Sequence, residues 1–482
     1  MEFETVIGLE VHAQLSTESK IFCSCSAEFG APPNTHVCPV CMGMPGVLPV
    51  LNKKVVDYAI RMGLATNCTI AKHSIFARKN YFYPDLPKGY QISQFEEPLC
   101  QHGYVEIELD GRRKRIGITR IHMEEDAGKS VHAEEFVSKN ETLVDLNRCG
   151  VPLIEIVSEP DMRSPREAYL YLTALKQILE YLEISDCNME EGSLRCDANV
   201  SLQPVGAKEF GVKTEVKNMN SFHGVEKALE YEIERQRKVL LAGGKITQQT
   251  MLWNAKEGKI VPMRSKEEAN DYRYFPEPDL VPLDVDPVWV NRIAQELPEL
   301  PFQRKQRFIK EYALPDYNAT VLTTSKYLAD FFEDAMKLYK NSKTLSNWMM
   351  REVLRFLSEQ KLEIQESLIT PKNLVELLKL IDDDTINVNT AKSIFDEVAK
   401  TGKSPRKIVE DKGLAQVSDT SELETIIVNL IDSHPVELEK YLAGKENLIG
   451  FFMGQVMKAT RGKANPKLVN ELLRKKLTEK KH

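Results

Sequence analysis

Four cysteines fall in two close pairs, Cys23-Ser24-Cys25 and Cys38-Pro39-Val40-Cys41, with 12 residues between the pairs. Thiolates at this spacing, each pair supplied by one turn, can enclose Zn²⁺ tetrahedrally; a site with four sulfur ligands is closed, so its role is structural. Free structural cysteines are the competing reading, but they rarely come in two such pairs. Cys68, Cys100, Cys149, Cys187 and Cys196 have no comparable spacing and read as core residues.

A second kind of chemistry lies in Val6-Ile7-Gly8-Leu9-Glu10-Val11-His12-Ala13-Gln14-Leu15. Period-2 alternation puts Ile7, Leu9, Val11, Ala13 and Leu15 on one face of a strand and Gly8, Glu10, His12 and Gln14 on the other. A carboxylate and an imidazole two residues apart can share a divalent ion, although ordinary half-exposed strands alternate in the same way. The run Ile121-His122-Met123-Glu124-Glu125-Asp126-Ala127-Gly128-Lys129-Ser130 adds three successive carboxylates, an oxygen-rich set that suits Mg²⁺ or an acidic surface turn. Gly128-Lys129-Ser130 imitates the end of a phosphate-binding loop, but Met123 stands where its first glycine is required. In Glu190-Glu191-Gly192-Ser193-Leu194-Arg195-Cys196-Asp197-Ala198-Asn199, alternation places Arg195, Asp197 and Asn199 on one face. Further on, Lys213, Glu215 and Lys217 alternate with Val212, Thr214 and Val216, so pairing of the two segments would set cations beside the carboxylates, as phosphoryl transfer needs. Arg78-Lys79-Asn80-Tyr81-Phe82-Tyr83-Pro84 interleaves basic and aromatic residues in a proline-bounded loop that could stack a base and pair a phosphate; core tyrosines are the plainer alternative. Near the C-terminus Lys458, Arg461, Lys463, Lys467, Arg474, Lys475, Lys476, Lys480 and Lys481 face only Glu471 and Glu479, a helical surface suited to phosphates or simply a solvated helix end.

These residues have to be positioned by more than one core, because 482 residues exceed what a single hydrophobic core supports. Hydrophobic content of 42% with 28% charged residues is that of a folded globular chain, and the net charge of −7 makes nucleic-acid binding a local rather than a global property. No apolar run approaches the ~18 residues that span a bilayer, and Met1-Glu2-Phe3-Glu4 lacks the features of a signal peptide. A cytoplasmic chain with no membrane partner is therefore expected, where clustered thiols bind metal more often than they form disulfides.

The fold class reads as α+β. Short alternating strands dominate to about residue 290, with Asp110-Gly111 as a hairpin turn. Ser164-Pro165 with Glu167 opens a helix running to about Glu183, and a second helix, from about Val225 to Leu241, stops at Gly243-Gly244. The proline-dense stretch Phe275-Pro276-Glu277-Pro278-Asp279-Leu280-Val281-Pro282 closes this part as an extended connection. Beyond about Pro298 the helical period takes over, with a break at Gly402-Lys403-Ser404-Pro405. The expected domains are 1–294, 295–404 and 405–482.

Residues 6–15, 78–94, 119–130, 153–161, 189–201, 271–282 and 454–468 together closely resemble the B-subunit family of the glutamyl-tRNA(Gln)/aspartyl-tRNA(Asn) amidotransferases, and the resemblance runs end to end. It implies a cradle domain of antiparallel sheet and helices with a kinase-like site, an all-α helical domain, and a small all-α tail, similar to the YqeY family, that contacts tRNA. The implied chemistry is carbon–nitrogen ligation with glutamine as amido donor. ATP phosphorylates the side-chain carboxylate of Glu-tRNA(Gln) or Asp-tRNA(Asn), and ammonia then displaces phosphate. Carried over residue by residue, Glu10, His12 and Glu125 are the implied Mg²⁺ ligands; the strand period alone does not choose between Glu124 and Glu125. Lys79, Tyr81, Arg195, Asp197 and Lys213 are the expected catalytic residues, Asn80, Tyr83, Ser193 and Asn199 the expected nucleotide contacts, and Lys458, Arg461, Lys463, Lys467 and Arg474 the expected tRNA contacts. Zn²⁺ on Cys23, Cys25, Cys38 and Cys41 would be scaffold. No glutaminase nucleophile signature is present, so ammonia is expected from an amidase partner, the A subunit of the family, with a small C subunit completing a heterotrimer. A non-catalytic zinc-containing tRNA adaptor is the alternative. An aminoacyl-tRNA synthetase-like ligase would need an adenylate-forming signature, which this sequence lacks.

Overall fold

The computed structural model describes residues 2–132, 141–263, 272–415, 420–460 and 464–480. The chain divides into two compact units, residues 1–301 and 302–482.

The alternating segments of the first unit become a nine-stranded sheet. In chain order its strands are β1 (Phe3–Gln14), β2 (Thr69–Ile70), β3 (Cys100–Leu109), β4 (Arg112–Glu125), β5 (Pro152–Ser158), β6 (Leu194–Pro204), β7 (Thr214–Lys217), β8 (Thr250–Asn254) and β9 (Lys259–Pro262). The spatial order is β9-β8-β7-β6-β1-β5-β4-β3-β2, with β1 central between β5 and β6. Pairing is antiparallel throughout except for β7 against β8. Asp110 and Gly111 close the β3–β4 hairpin, both at positive φ, as a two-residue turn matched to strand twist requires.

Ile7, Leu9, Val11 and Ala13 of β1 are fully buried and join one core with side chains of three helices. Helix α1 (Lys53–Ala65) contributes Val55 and Ile60, α2 (Pro165–Tyr181) Tyr171 and Leu175, and α3 (Phe222–Leu241) Val225 and Leu229. The Ser164 hydroxyl accepts from the Glu167 amide and Pro165 occupies the first turn, as the sequence predicts. The second helix starts three residues earlier than periodicity predicts, because Ser221 caps it by accepting from Gly224 N. Helix α4 (Pro287–Glu296) follows the proline-dense connection, in which Phe275–Pro276 pairs with Ala77–Asn80. Burial of one sheet face leaves the polar row of β1 on the opposite side.

The second unit has no strand among its described residues. Helices between Pro301–Tyr312 and Pro405–Asp411 build one core around Phe308, Phe332, Trp348 and Phe395. Gly402 ends the helix Val388–Thr401 in a left-handed cap and Pro405 opens the next, the expected local break. Ile408 and Val409 of that next helix also belong to this core, and Leu414 packs against it. A smaller core, with Leu423, Phe452 and Leu473, joins Thr420–Asp432, Ile449–Ala459 and Pro466–Glu479.

Candidate functional site

Strand register assembles the polar face. Glu155 of β5 lies opposite His12 of β1 on one side and His122 of β4 on the other. His12 Nε2 stands 3.2 Å from Glu155 Oε2, and His122 Nε2 stands 3.2 Å from Glu124 Oε1 and 3.6 Å from Glu155 Oε2. Glu124 is further bound by the Ser93 hydroxyl, 2.5 Å from Oε1, and by the Gln91 amide, 3.2 Å from Oε2. His12, Glu124 and Glu155 can bring one ligand atom each within 4.8 Å of one another. Mg²⁺ at ~2.1 Å from each donor needs separations of about 3–4 Å, so a small inward adjustment makes these residues a fitting ligand set.

Burial alone would raise the Glu155 and Glu124 carboxyls. Glu155 is instead held well below the carboxylate range by His122, His12 and Lys79, and Glu124 is lowered mainly by its hydrogen bond to His122, against the repulsion of Glu155. Burial would lower His12, but the Glu155 hydrogen bond raises it above 6.5. Burial likewise opposes the charge on Lys79, and Glu124 restores it, so the ammonium persists at the site.

A second acidic group adjoins the first along the sheet. Glu10 lies opposite Asp197, and Asn199 opposite Glu215, so the expected pairing of residues 194–204 with 214–217 is present. Glu10, Asp197 and Glu215 converge. Lys217 already supplies a cation there, bound to Asp197 and 2.9 Å from Glu215 Oε1, while the Asn199 amide donates to Glu10 at 3.0 Å. Burial, then Glu155, Glu215 and Asp197, raise the Glu10 carboxyl. A cleft of about 310 Å³ opens beside Glu10, lined by Gly8, Ser158, Asn199, Phe210 and Lys213 among others.

Arg195 lies opposite His12 in register and contacts Asp126 at 3.0 Å; Gln14 donates to the same carboxylate oxygen at 2.7 Å. Lys79 and Tyr81 come from the 77–93 hairpin. It is anchored where Arg78 makes two hydrogen bonds to Glu277, of 2.7 and 2.8 Å, and one to Asp279 of 2.9 Å. This pins the loop to the proline-dense connection and gathers aromatic rings beside the site. Tyr81 is edge-on to Tyr83 and Tyr272, Tyr272 edge-on to Tyr274, and Tyr274 stacks on Phe95 with centroids 4.0 Å apart. The Lys79 ammonium lies 5.0 Å from the Tyr272 ring centre. Burial pushes the Tyr274 phenol up to about 12, so it stays neutral.

The structure places several of the expected site residues apart from the groups described above. Glu125 does not join His12 and Glu10. It pairs with buried Lys88 and accepts from Ile92 N at 2.9 Å, because successive strand residues point to opposite sides and Glu124 takes the His122 side. Glu10 sits with Asp197 and Glu215 rather than with the His12 set. Ser193 is consumed in a turn, bound to Asp186 and accepting from Asn188 N at 2.8 Å. The Asn80 amide clamps the carbonyls of Tyr272 and Arg273. Lys213 is exposed at the cleft mouth, whereas Lys217 reaches the carboxylates. Glu155, His122, Glu215 and Lys217 also line this face, and none of them is among the site residues expected from the sequence. The signal for Glu155 was a charged residue inside the apolar run Leu153-Ile154-Glu155-Ile156-Val157.

The cysteine pairs converge as their spacing predicts, with one sulfur from each within 4.8 Å of the others and Cys38 Sγ 3.9 Å from Cys41 Sγ. Tetrahedral Zn²⁺ with ~2.3 Å bonds sets sulfurs about 3.8 Å apart, so the four residues fit that ion. The hydrogen bond from Cys23 lowers the Cys41 thiol to about 4 against burial, while burial raises Cys25 to about 11.

In the second unit Lys458, Lys467 and Arg474 are exposed on the last two helices, and Arg461 and Lys463 lie outside the described residues. The basic surface is narrower than the sequence suggests: Lys476 pairs with Glu424 at 3.4 Å and Lys480 with Asp432 at 2.8 Å, both acids coming from the neighbouring helix Thr420–Asp432.

Comparison with known proteins matches residues 5–291 to the GatB/GatE catalytic domain family and residues 330–477 to the GatB domain family. A protein of Thermodesulfovibrio yellowstonii is 60% identical over 99% of this chain and all of its own length. Relatives from Thermoanaerobacter pseudethanolicus and a Geobacter species, at 59% and 58% identity, cover the same shares. All three are named as the B subunit of an aspartyl/glutamyl-tRNA(Asn/Gln) amidotransferase. The chain belongs to that family of amidotransferase B subunits.

Proposed function

We propose that this chain activates the side-chain carboxylate of Glu-tRNA(Gln) or Asp-tRNA(Asn) with ATP and then forms the amide with ammonia. The supporting observation is one sheet face on which His12, Glu124 and Glu155 meet, with Arg195 opposite His12 in register and Lys79 kept charged by Glu124. A carboxylate oxygen is too poor a leaving group for ammonia to displace. In the first step the substrate carboxylate oxygen attacks the γ-phosphorus, ADP leaves, and a mixed acyl phosphate forms. Ammonia then adds to the acyl carbon, phosphate departs with the oxygen, and nitrogen loses a proton to give the amide.

His12, Glu124 and Glu155 would hold Mg²⁺, which when bound offsets the repulsion between triphosphate and carboxylate. Lys79 keeps its charge despite burial and is placed to bind phosphoryl oxygens, and Arg195 is held in line by Asp126. The cleft beside Glu10, with Lys213 at its mouth, is the proposed nucleotide site. Tyr81, Tyr272 and Tyr274 offer ring faces on which the terminal base of tRNA can stack. Ammonia is supplied by an amidase partner, the A subunit, and a small C subunit completes the heterotrimer. Zn²⁺ on the four cysteines holds the 23–41 segment and takes no part in the reaction. Lys458, Lys467 and Arg474 bind tRNA phosphate, and the work is cytoplasmic.

Hydroxylamine tests the reading, because it captures an acyl phosphate as a hydroxamate. The assembled complex, given ATP and Glu-tRNA(Gln) without glutamine, is expected to form glutamyl hydroxamate on tRNA. Side-chain hydroxamate, as distinct from the α-hydroxamate that hydroxylamine forms from the tRNA ester unaided, arising equally without ATP would overturn the proposal.

A further inference from the structure

We propose that His122 is a positioning residue, a buried donor that holds Glu124 and Glu155 side by side so that both can share an ion with His12. The inference rests on the metal reading above and adds a residue that touches no ligand.

Two carboxylates packed together away from water repel each other, and Glu124 feels the charge of Glu155. The group between them is His122, only 2% exposed, whose Nε2 is 3.2 Å from one carboxylate and 3.6 Å from the other. Its other ring nitrogen decides what Nε2 can do. Arg120 Nε points at His122 Nδ1 from 3.4 Å, and a guanidinium only donates. Nδ1 is therefore the acceptor, and the ring proton is assigned to Nε2 by the hydrogen-bond network. A protonated Nε2 has no lone pair for a metal, so His122 donates to Glu124, with Glu155 Oε2 3.6 Å away, instead of ligating. His12, across Glu155 in the strand register, is the imidazole of the candidate ligand set. Such outer partners commonly account for about 10- to 100-fold in metal affinity.

Mn²⁺, titrated calorimetrically into the full-length chain, reads this without any turnover. His122→Ala is expected to bind Mn²⁺ about 10- to 100-fold more weakly than wild type. His122→Gln, whose amide N–H reaches the Nε2 position, is expected to recover most of that affinity. Arg120→Met, which frees the tautomer without opening the core, is expected to lose several-fold and keeps the test usable if the alanine variant fails to fold. Melting midpoints accompany each titration, since a packing role would lower stability without a difference between alanine and glutamine. Wild-type affinity in His122→Ala, or equal losses for alanine and glutamine, would overturn the inference. Glu155→Gln separates the two layers: unchanged binding in that variant would remove the metal site itself, and this inference with it.

Discussion

Residues 23–50 contain one buried side chain, Cys41, while Phe29, Leu48 and Val50 are each at least 66% exposed. Burying a single side chain contributes about 1.5–3 kcal/mol, and each residue fixed in the native backbone costs about 1–2 kcal/mol. Hydrogen bonds such as Lys20 Nζ to His36 O and His36 N to Asn147 Oδ1 add about 1 kcal/mol apiece, too little to order the whole segment. On the zinc reading proposed above the ion supplies a large part of the remaining stabilisation, since structural Zn²⁺ contributes about 10–16 kcal/mol in small peptides. Stripping the metal with a strong chelator should therefore open this segment and leave the sheet standing, since Ile21 and Phe22 anchor its start in the main core. Hydrogen exchange read by mass spectrometry follows the amides of Met42, Gly43 and Met44, whose bonds close the second cysteine turn. Their protection is expected to fall at least about a thousandfold, because opening that was limited by global unfolding at about 5 kcal/mol or more becomes local. Protection of β1 should be unchanged. Amides 42–44 that exchange at one rate with and without metal would refute the reasoning.

Other perturbations have defined outcomes. The Tyr171 hydroxyl is buried with no partner among the described residues, so Tyr171→Phe should raise stability by about 1 kcal/mol in urea denaturation. The Glu155 hydrogen bond raises His12 above 6.5, so a metal at this imidazole competes with a proton as pH falls. Mn²⁺ affinity should thus rise with pH through that range, with proton release visible as a calorimetric heat that depends on the buffer. In the metal-free chain the sign reverses for stability: the His12–Glu155 contact is fully stabilising below the unfolded value and fades as pH rises through the folded one. Lys467→Ala and Arg474→Ala should each flatten the dependence of tRNA affinity on log salt by about 0.7–0.9, a change that filter binding across salt concentrations detects.

The elements were legible where one local rule decides them. The alternation Ile7, Leu9, Val11, Ala13 fixed the buried face of β1, Asp110-Gly111 the hairpin, and Ser164-Pro165 the start of α2. The cysteine pairs were legible too, because their partners are close in sequence. The polar face was legible only in part. Choosing Glu124 over Glu125 needs the register of β4 against β5 and the position of His122, and neither is written in a strand period. Lys217 could not be preferred to Lys213, since both share one parity and only the start of β7 at Thr214 separates them. The narrowing of the basic surface escaped for the same reason: Glu424 and Asp432 come from a helix tens of residues upstream.

Phosphate release from ATP tests the central claim most directly, with Glu-tRNA(Gln) and ammonium chloride in place of glutamine so that no amidase step intervenes. Wild type is expected to release phosphate only with the charged tRNA, and Glu124→Gln is expected to lose that release by at least about a hundredfold, as removal of a metal ligand should. Phosphate release unchanged in Glu124→Gln would contradict the account and leave the chain a tRNA-binding adaptor.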